Sequence, residues 1–352
     1  MCARVRTISV GTSKIGPGCP VYIIAEAGVN HNGDLSLAEK MIATAAKAGA
    51  DCVKFQAFKS ELLASPGAPL AEYQKKSVKT SRTQRTMLKE LELAPSDFAQ
   101  LQKVCAAEGV EFLASAFDLE SLKMLYDIGV KAVKIGSPEL TDTPLMEAVA
   151  AKGVPALVST GAATMREVKD AVATLLHGKV RDIALFHCVT LYPSSYELSN
   201  LHAIATMRDY FGLPVGYSDH SPGLHIATAA VAVGALLLEK HFTLDRRLPG
   251  PDQALSLEPS ELISFITAVR QVEKAMGDGV KAPKEPELEV QRAARKSLVS
   301  TRAIKRGEKL RLEMLTTKRP ATGIEPKFIH KVTGRRAKCD IAADTIITWD
   351  MV

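Results

Sequence analysis

Two histidines, two lysines, two glutamates and several serines stand in or at the ends of apolar runs that lie far apart along the chain. His220 and His241 each close such a run. A pair of imidazoles brought together can share a divalent cation, with water or substrate oxygens in the other positions. The competing account is two polar histidines satisfied by carboxylates, with Asp219 and Glu239 flanking them. Lys54 and Lys134 lie inside apolar runs, and a buried lysine is costly unless an anion joins it. Together with the hydroxyls of Ser137, Ser159 and Ser218, these ammonium groups suit a phosphate monoester. Equally, each lysine can pair with a local acid, Lys54 with Glu26 and Lys134 with Glu139.

Glu26 and Glu139 are candidates for proton transfer, because a carboxylate in a desolvated mouth can be tuned toward the working pH. Either can also be a structural counter-ion. Asp252, in LPGPDQ, suits a substrate hydroxyl or metal-bound water, or else a turn beside Gly250 and Pro251. Asn30, His31, Asn32 and Gly33, in EAGVNHNGD, suit ligand contacts or plain turn chemistry. Arg319, in KRPATG, suits an anionic or polyhydroxylated substrate, or is a surface arginine.

The elements that must position these groups are eight apolar runs separated by helix-patterned segments. They are YIIAEAG (Tyr22 to Gly28), CVKFQAF (Cys52 to Phe58), EFLASAF (Glu111 to Phe117), AVKIGS (Ala132 to Ser137), PALVSTG (Pro155 to Gly161), IALFHCV (Ile183 to Val189), PVGYSDH (Pro214 to His220) and LLLEKHFT (Leu236 to Thr243). Near-continuous apolar runs are the mark of strands buried on both faces. Eight of them alternating with helices predict an α/β fold, a (β/α)8 TIM barrel. The polar residues at the run ends then gather in one mouth: Glu26, Lys54, Gln56, Ser115, Lys134, Ser137, Glu139, Ser159, Tyr192, Ser218, Asp219, His220 and His241. That is too much charge for a packed core and suits an active site.

The chain of 352 residues is long enough for this barrel and one small extra domain. A last barrel helix is predicted from about Pro259 to Ala275, ended by Gly277 and Gly279. Residues 278–294 read as a charged, proline-containing linker, and residues 295–352 as a small β-rich domain after a barrel domain of residues 1–277. Residues 278–352 carry 17 Lys and Arg against 10 Asp and Glu, whereas the rest carries 28 against 29. The interleaved acids and the lack of an aromatic platform argue against nucleic acid as a partner. No run is long enough to predict a membrane span, and no secretory leader is evident. The six cysteines (Cys2, Cys19, Cys52, Cys105, Cys188, Cys339) form no CxxC pair, which suits a reduced, cytoplasmic compartment.

The ordered set IIAEAGVNHNGD, DCVKFQAF, KIGSPE, VSTG, YPSSYE, YSDHS, EKHFTLD, LPGPD and KRPATG resembles the sialic acid synthases, the N-acylneuraminate or nonulosonate synthase family. The likeness runs from about Val21 to the C-terminus, and the tail is similar to the antifreeze-like SAF (β-clip) domain of those enzymes. It implies a transferase that condenses phosphoenolpyruvate with the open-chain aldehyde of an N-acylated mannosamine or related hexosamine. Phosphate leaves by C–O cleavage, and the product is a nine-carbon 2-keto-3-deoxy sugar acid. It implies a divalent metal, Mn2+ or Mg2+, on His220 and His241. Glu26 is then the carboxylate near the reacting carbons, and Lys54, Ser115, Lys134, Ser137, Ser159 and Ser218 form the phosphoenolpyruvate pocket. Gln56, Phe117, Glu139, Tyr192 and Asp252 lie around the sugar and the reaction centre. Arg319 is implied as an arm supplied by the partner in a domain-exchanged homodimer.

The family often has TPF where this chain has Ser115-Ala116-Phe117, and SGE where Ser137-Pro138-Glu139 stands. Thr190 precedes the tyrosine motif where the family often has Asn or Thr, and the polar stretch KKSVKTSRTQ is assigned no role. The likeness leans toward bacterial legionaminate and sialate synthases. Two other classes stay open: a synthase of shorter keto-deoxy sugar acids from phosphorylated sugars, and a sugar-binding protein without catalysis.

Overall fold

A computed structural model describes residues 5–77 and 83–352, so Cys2 and the centre of the KKSVKTSRTQ stretch lie outside the described residues. A short antiparallel hairpin comes first, β1 (Ile8–Val10) and β2 (Ser13–Ile15). Eight parallel strands then close into a barrel: β3 (Tyr22–Gly28), β4 (Cys52–Ala57), β5 (Glu111–Ala116), β6 (Val133–Ile135), β7 (Ala156–Ser159), β8 (Ile183–Cys188), β9 (Val215–Asp219) and β10 (Leu237–His241), with β10 paired to β3. Every strand starts and ends within two residues of its apolar run. The TIM-barrel expectation holds.

Helices cover the outside, among them α1 (Leu35–Ala48), and α2 (Ser60–Leu63), α3 (Glu72–Ser77), α4 (Gln84–Leu91) and α5 (Pro95–Glu108), all four between β4 and β5. Then come α6 (Leu119–Asp127), α7 (Thr143–Lys152), α8 (Met165–His177), α9 (His202–Phe211), α10 (His225–Ala232) and α11 (Pro259–Met276). Local signals start and stop them. The Asp34 carboxylate accepts from the Ser36 and Leu37 amides at the start of α1, and Gly49 ends it at φ 90°. Leu262, Phe265, Ile266 and Val269 of α11 are buried, as its periodicity predicts.

Side-chain alternation divides the barrel into two layers. Ile23, Ala25, Val53, Phe55 and Ala114 face the helices and belong to the main core. Tyr22, Ile24, Cys52, Leu113, Leu157 and Leu237 belong to a second cluster inside the barrel, which Ile8, Val10 and Ile15 of the hairpin complete. The hairpin therefore stoppers the end of the barrel at which the strands begin. Further along each strand the inward positions turn polar: Glu26 on β3, Lys54 and Gln56 on β4, Ser115 on β5, Lys134 on β6, Ser159 on β7, Ser218 on β9, and Glu239 and His241 on β10.

Phase corrects one expectation. Asp219 lies one residue past Ser218, so it points away from the mouth into the layer between strands and helices. There it meets Lys240, whose Nζ lies 2.6 Å from Oδ2 and 2.5 Å from the Ser221 carbonyl oxygen. Both side chains are almost fully buried.

Residues 278–352 form a second compact unit. The stretch read as a linker holds a ten-residue helix, α12 (Glu285–Ala294). Its start signals are local: Pro286 sits in the first turn, and the Lys284 amide donates to the Glu287 carboxylate. The rest packs Leu298, Ile304, Leu310, Ile324, Ile341 and Ile347 into its own core. Antiparallel strands β11 (Ser297–Ser300) and β12 (Leu315–Lys318) pair there, and isolated bridges such as Ile304 to Ile341 extend the β structure. Among the described residues no helix is long and apolar enough to cross a membrane.

Breaking a buried ion pair leaves the surviving charge uncompensated, at a cost of about 3–5 kcal/mol. Lys240→Ala should lower the unfolding free energy by about that amount in a urea titration of the midpoint and slope. A loss below about 1 kcal/mol would show that Asp219 does not need its partner.

Candidate active site

Four charges at the floor of the mouth form a run across the barrel. Lys54 Nζ lies 2.9 Å from Glu26 Oε2 and 3.8 Å from Glu239 Oε1, and Lys134 Nζ lies 3.7 Å from Glu239 Oε2. Register builds this run, since Glu26 is level with Lys54 on β4 and with His241 on β10. Hydroxyls complete it: Lys54 donates to Ser115 Oγ at 3.0 Å, Lys134 to Ser159 Oγ at 2.5 Å, and Ser218 to Glu239 Oε1 at 3.2 Å. Gln56 donates to Glu26 Oε1 at 3.2 Å.

The local-acid expectation is half right. Lys54 does pair with Glu26, but Lys134 pairs with Glu239 rather than Glu139. Sequence reasoning named Glu239 only as a neighbour of His241. Its signal was phase: it stands two residues before His241, on the same inward face.

Burial and pairing set the protonation states. Burial pulls the Lys54 pKa down, but the carboxylates of Glu239 and Glu26 outweigh it and hold the lysine above its usual value. Glu239 is buried too, yet Lys134 and Lys54 keep it below the usual carboxylate range. Burial pushes Glu26 up against the pull of Lys54, and draws Lys134 down against the pull of Glu239. Higher in the mouth, burial raises Glu139 to about 7 with Lys134 opposing, and raises Asp252 to about 7 with help from the Glu26 charge. Gly136 leaves room for the Glu139 carboxylate, because a Cβ there would lie 2.3 Å from Oε2.

Both histidines are neutral near pH 7. Burial lowers His220 to about 4 and pushes His241 well below its usual value, with nearby lysines such as Lys54 adding to the effect on His241. Their ring centroids are 5.6 Å apart. His220 Nδ1 donates to the Val189 carbonyl at 2.7 Å, which leaves Nε2 as the acceptor for the Tyr192 hydroxyl at 2.8 Å. Tyr192 is stacked between His220 and Tyr73, at centroid distances of 3.9 and 5.3 Å. His241 Nδ1 is buried with no partner among the described residues. Of these two neutral imidazoles, His241 can offer its orphaned Nδ1 to a divalent cation, and His220 can offer Nε2 once the Tyr192 hydroxyl gives it up. Among the described residues no group of three or more His, Cys, Asp or Glu side chains could hold one unaided, so other oxygens would complete the sphere.

The barrel residues that the sequence singles out for substrate or metal line one cavity of about 500 Å3, namely Glu26, Lys54, Gln56, Ser115, Phe117, Lys134, Ser137, Glu139, Ser159, Tyr192, Ser218, His220, His241 and Asp252. Asp219 does not line it. Arg319 is exposed and belongs to the second unit. Asn30 and His31 are buried but away from the cavity, so turn chemistry wins there. Asn30 Nδ2 donates to the Phe242 carbonyl and Ser256 Oγ, both at 2.8 Å, and His31 Nδ1 accepts from the Gly33 amide at 3.1 Å. Sequence reasoning missed a side wall with Leu63, Gln84, Met87, Leu88 and Leu91. Those residues sit on α2 and α4, outside the strand pattern that located the rest.

The NeuB family model matches residues 41–281 and the SAF domain model matches residues 295–352. An N,N'-diacetyllegionaminic acid synthase of Legionella pneumophila is 40% identical over 346 residues, covering 97% of each chain. One from Campylobacter jejuni is 43% identical over 327 residues, covering 92% of this chain and 98% of that one. The crystal structure of an N-acetylneuraminic acid synthetase from Leptospira borgpetersenii, in complex with citrate, is 38% identical with a TM-score of 0.73, over 81% of this chain and 95% of that one. The relatives are synthases of nonulosonic acids, and on this evidence the chain belongs to the NeuB family and carries a SAF domain.

Proposed function

We propose that this chain condenses phosphoenolpyruvate with the open-chain aldehyde of an N-acylated hexosamine. The products are a nine-carbon 2-keto-3-deoxy sugar acid and inorganic phosphate. One observation carries the reading: a continuous run of opposite charges, Glu26, Lys54, Glu239 and Lys134, at the floor of the cavity that also holds two neutral imidazoles. The activity of the two curated relatives, synthesis of N,N'-diacetyllegionaminic acid, supports a doubly acylated acceptor.

Charge balance shapes the chemistry. Phosphoenolpyruvate brings roughly two to three negative charges near neutral pH. The two lysines are already matched by Glu26 and Glu239. Further positive charge is therefore needed, and a Mn2+ or Mg2+ ion on His220 and His241 would supply it and polarise the aldehyde oxygen. Lys134, Ser159, Lys54 and Ser115 hold the phosphate and carboxylate of phosphoenolpyruvate, with Ser137 and Ser218 beside them. Its methylene carbon bonds to the aldehyde carbon, water adds at the enol-phosphate carbon, and the C–O bond to phosphate breaks as the added hydroxyl gives its remaining proton to the departing phosphate and becomes the ketone. Glu139 gives a proton to the aldehyde oxygen as it becomes a hydroxyl. Glu26, oriented by Gln56, takes the proton that water loses. Asp252, Tyr192 and Phe117 hold and orient the sugar. Binding both reactants together removes much of the entropic barrier, about 7–11 kcal/mol at best.

Phosphate release should appear with phosphoenolpyruvate, Mn2+ and an acylated mannosamine. Release only with a phosphorylated sugar would indicate the shorter-chain synthases, and none with any aldose would indicate a binding protein. His220→Ala should weaken Mn2+ binding, read by electron paramagnetic resonance, by about tenfold or more. Activity should fall with it and recover partly in excess metal. Unchanged Mn2+ affinity would remove the cation from this site.

The Glu139 carboxyl is half protonated near pH 7, so as an acid it loses its active form as pH rises through about 7. The rate should decline on that alkaline side, and Glu139→Gln should be slow and flat there. The decline should persist in Asp252→Asn, and its loss in that variant would reassign the proton to Asp252. A domain-exchanged homodimer belongs to this proposal, with the Arg319 that contacts the sugar supplied by the partner subunit. Arg319→Ala should raise the Michaelis constant for sugar by more than that for phosphoenolpyruvate, and equal effects would discard that role.

A further inference from the structure

We propose that Glu239 is a positioning residue that keeps the floor of the cavity from holding phosphate too tightly. Its carboxylate cancels charge on Lys54 and Lys134 without taking the hydrogen bonds that they offer an anion, and so lets inorganic phosphate leave after each turnover. The inference rests on the synthase reading and extends it by assigning a part in product release to a residue that reading leaves without a step.

Glu239 reaches across the barrel. In the closed sheet β10 stands next to β9 and β3, whereas β6 stands four strands away, on the far side. Glu239 nonetheless meets both lysines, with Oε1 3.8 Å from Lys54 Nζ and Oε2 3.7 Å from Lys134 Nζ. Each oxygen thus faces one lysine. The Ser218 hydroxyl, level with Glu239 on the neighbouring strand, donates to Oε1 at 3.2 Å and fixes the carboxylate in this place. Oε2 is buried with no hydrogen-bond partner among the described residues.

Those two distances are too long for hydrogen bonds and short enough for strong attraction. They leave donors unused. An ammonium group carries three N–H bonds. Lys54 gives one to Ser115 Oγ and has Glu26 Oε2 at 2.9 Å. Lys134 gives one to Ser159 Oγ and one to the Ile135 carbonyl at 3.3 Å. At least one N–H on each lysine therefore remains for an anion in the cavity that both line.

Charge and hydrogen bonding are separated as a result. An anion at the floor meets unused N–H groups but no net positive charge, because Glu26 and Glu239 match the two lysines. A buried cation that lacks its counter-ion is costly unless an anion joins it. With the charge of Glu239 removed, the floor holds two ammonium groups and one carboxylate, and a phosphate there becomes the missing partner. A carboxylate that only supported the fold would act in the opposite sense, since its loss would disorder the lysines and weaken anion binding. The sign of the change separates the two roles.

The test is a calorimetric titration of inorganic phosphate into the full chain, with Mn2+ present and again with a chelator. Glu239→Gln should bind phosphate about tenfold or more tighter than the unchanged chain in both media. Its Michaelis constant for phosphoenolpyruvate and its kcat should both fall, and acid-quenched samples should show a first-turnover burst of phosphate that the unchanged chain lacks. Should Glu239→Gln fail to fold by circular dichroism, Glu239→Asp takes its place. That variant keeps the charge but draws it back by one methylene, and a smaller tightening is expected. Phosphate affinity unchanged or weakened in the folded variant, a tightening seen only with Mn2+, or the lack of a burst overturns this role for Glu239, while phosphate release by the unchanged chain keeps the synthase reading intact. No release from phosphoenolpyruvate with any aldose overturns the synthase reading and this inference together.

Discussion

Charges sealed inside a barrel must cancel, and this requirement organises the mouth. Glu26, Lys54, Glu239 and Lys134 come from four different strands, and each has an opposite charge within 4 Å. Removing one would strand another in a poorly solvated place. Strand register is thereby tied to chemistry. A one-residue slip of β4 or β10 would swing its charge into the helix layer and bring an apolar or mismatched side chain inward. The barrel shape and the charge pattern hold each other in place.

The same burial yields different protonation states because partners differ. Where opposite charges meet, as at Lys54 and Glu239, ions survive out of water. Where no cation is in direct contact, as at Glu139 and Asp252, carboxyls shift toward neutrality. His220 and His241 stay uncharged next to the lysines. One pocket thus holds fixed ions for anchoring, carboxyls able to exchange protons, and neutral imidazoles.

Much of this could be read in the sequence because both-face burial writes an unmistakable apolar run. All eight strands appear where those runs lie. The polar ends were equally legible, and the barrel rule that functional groups gather at strand ends brought Lys54, His220 and His241 together. Phase was read less well. Asp219 stands among the residues expected in the mouth although alternation turns it outward, and Glu239 is expected only as a flank of the histidines although alternation turns it in. The wall on α4 left no trace, since a short polar helix with two buried residues looks like loop. The helix at Glu285–Ala294 was hidden by its charge, because all its residues but one are exposed and none is buried.

The hairpin that stoppers the barrel has a further effect. Ile8, Val10 and Ile15 seat against Tyr22, Ile24 and Leu237 and shut the far end, which makes the chamber a cul-de-sac. Anything that settles beside Lys134 comes and goes through the same mouth that Leu88 flanks. The direction of approach is thus set by three apolar side chains that stand outside the cavity lining.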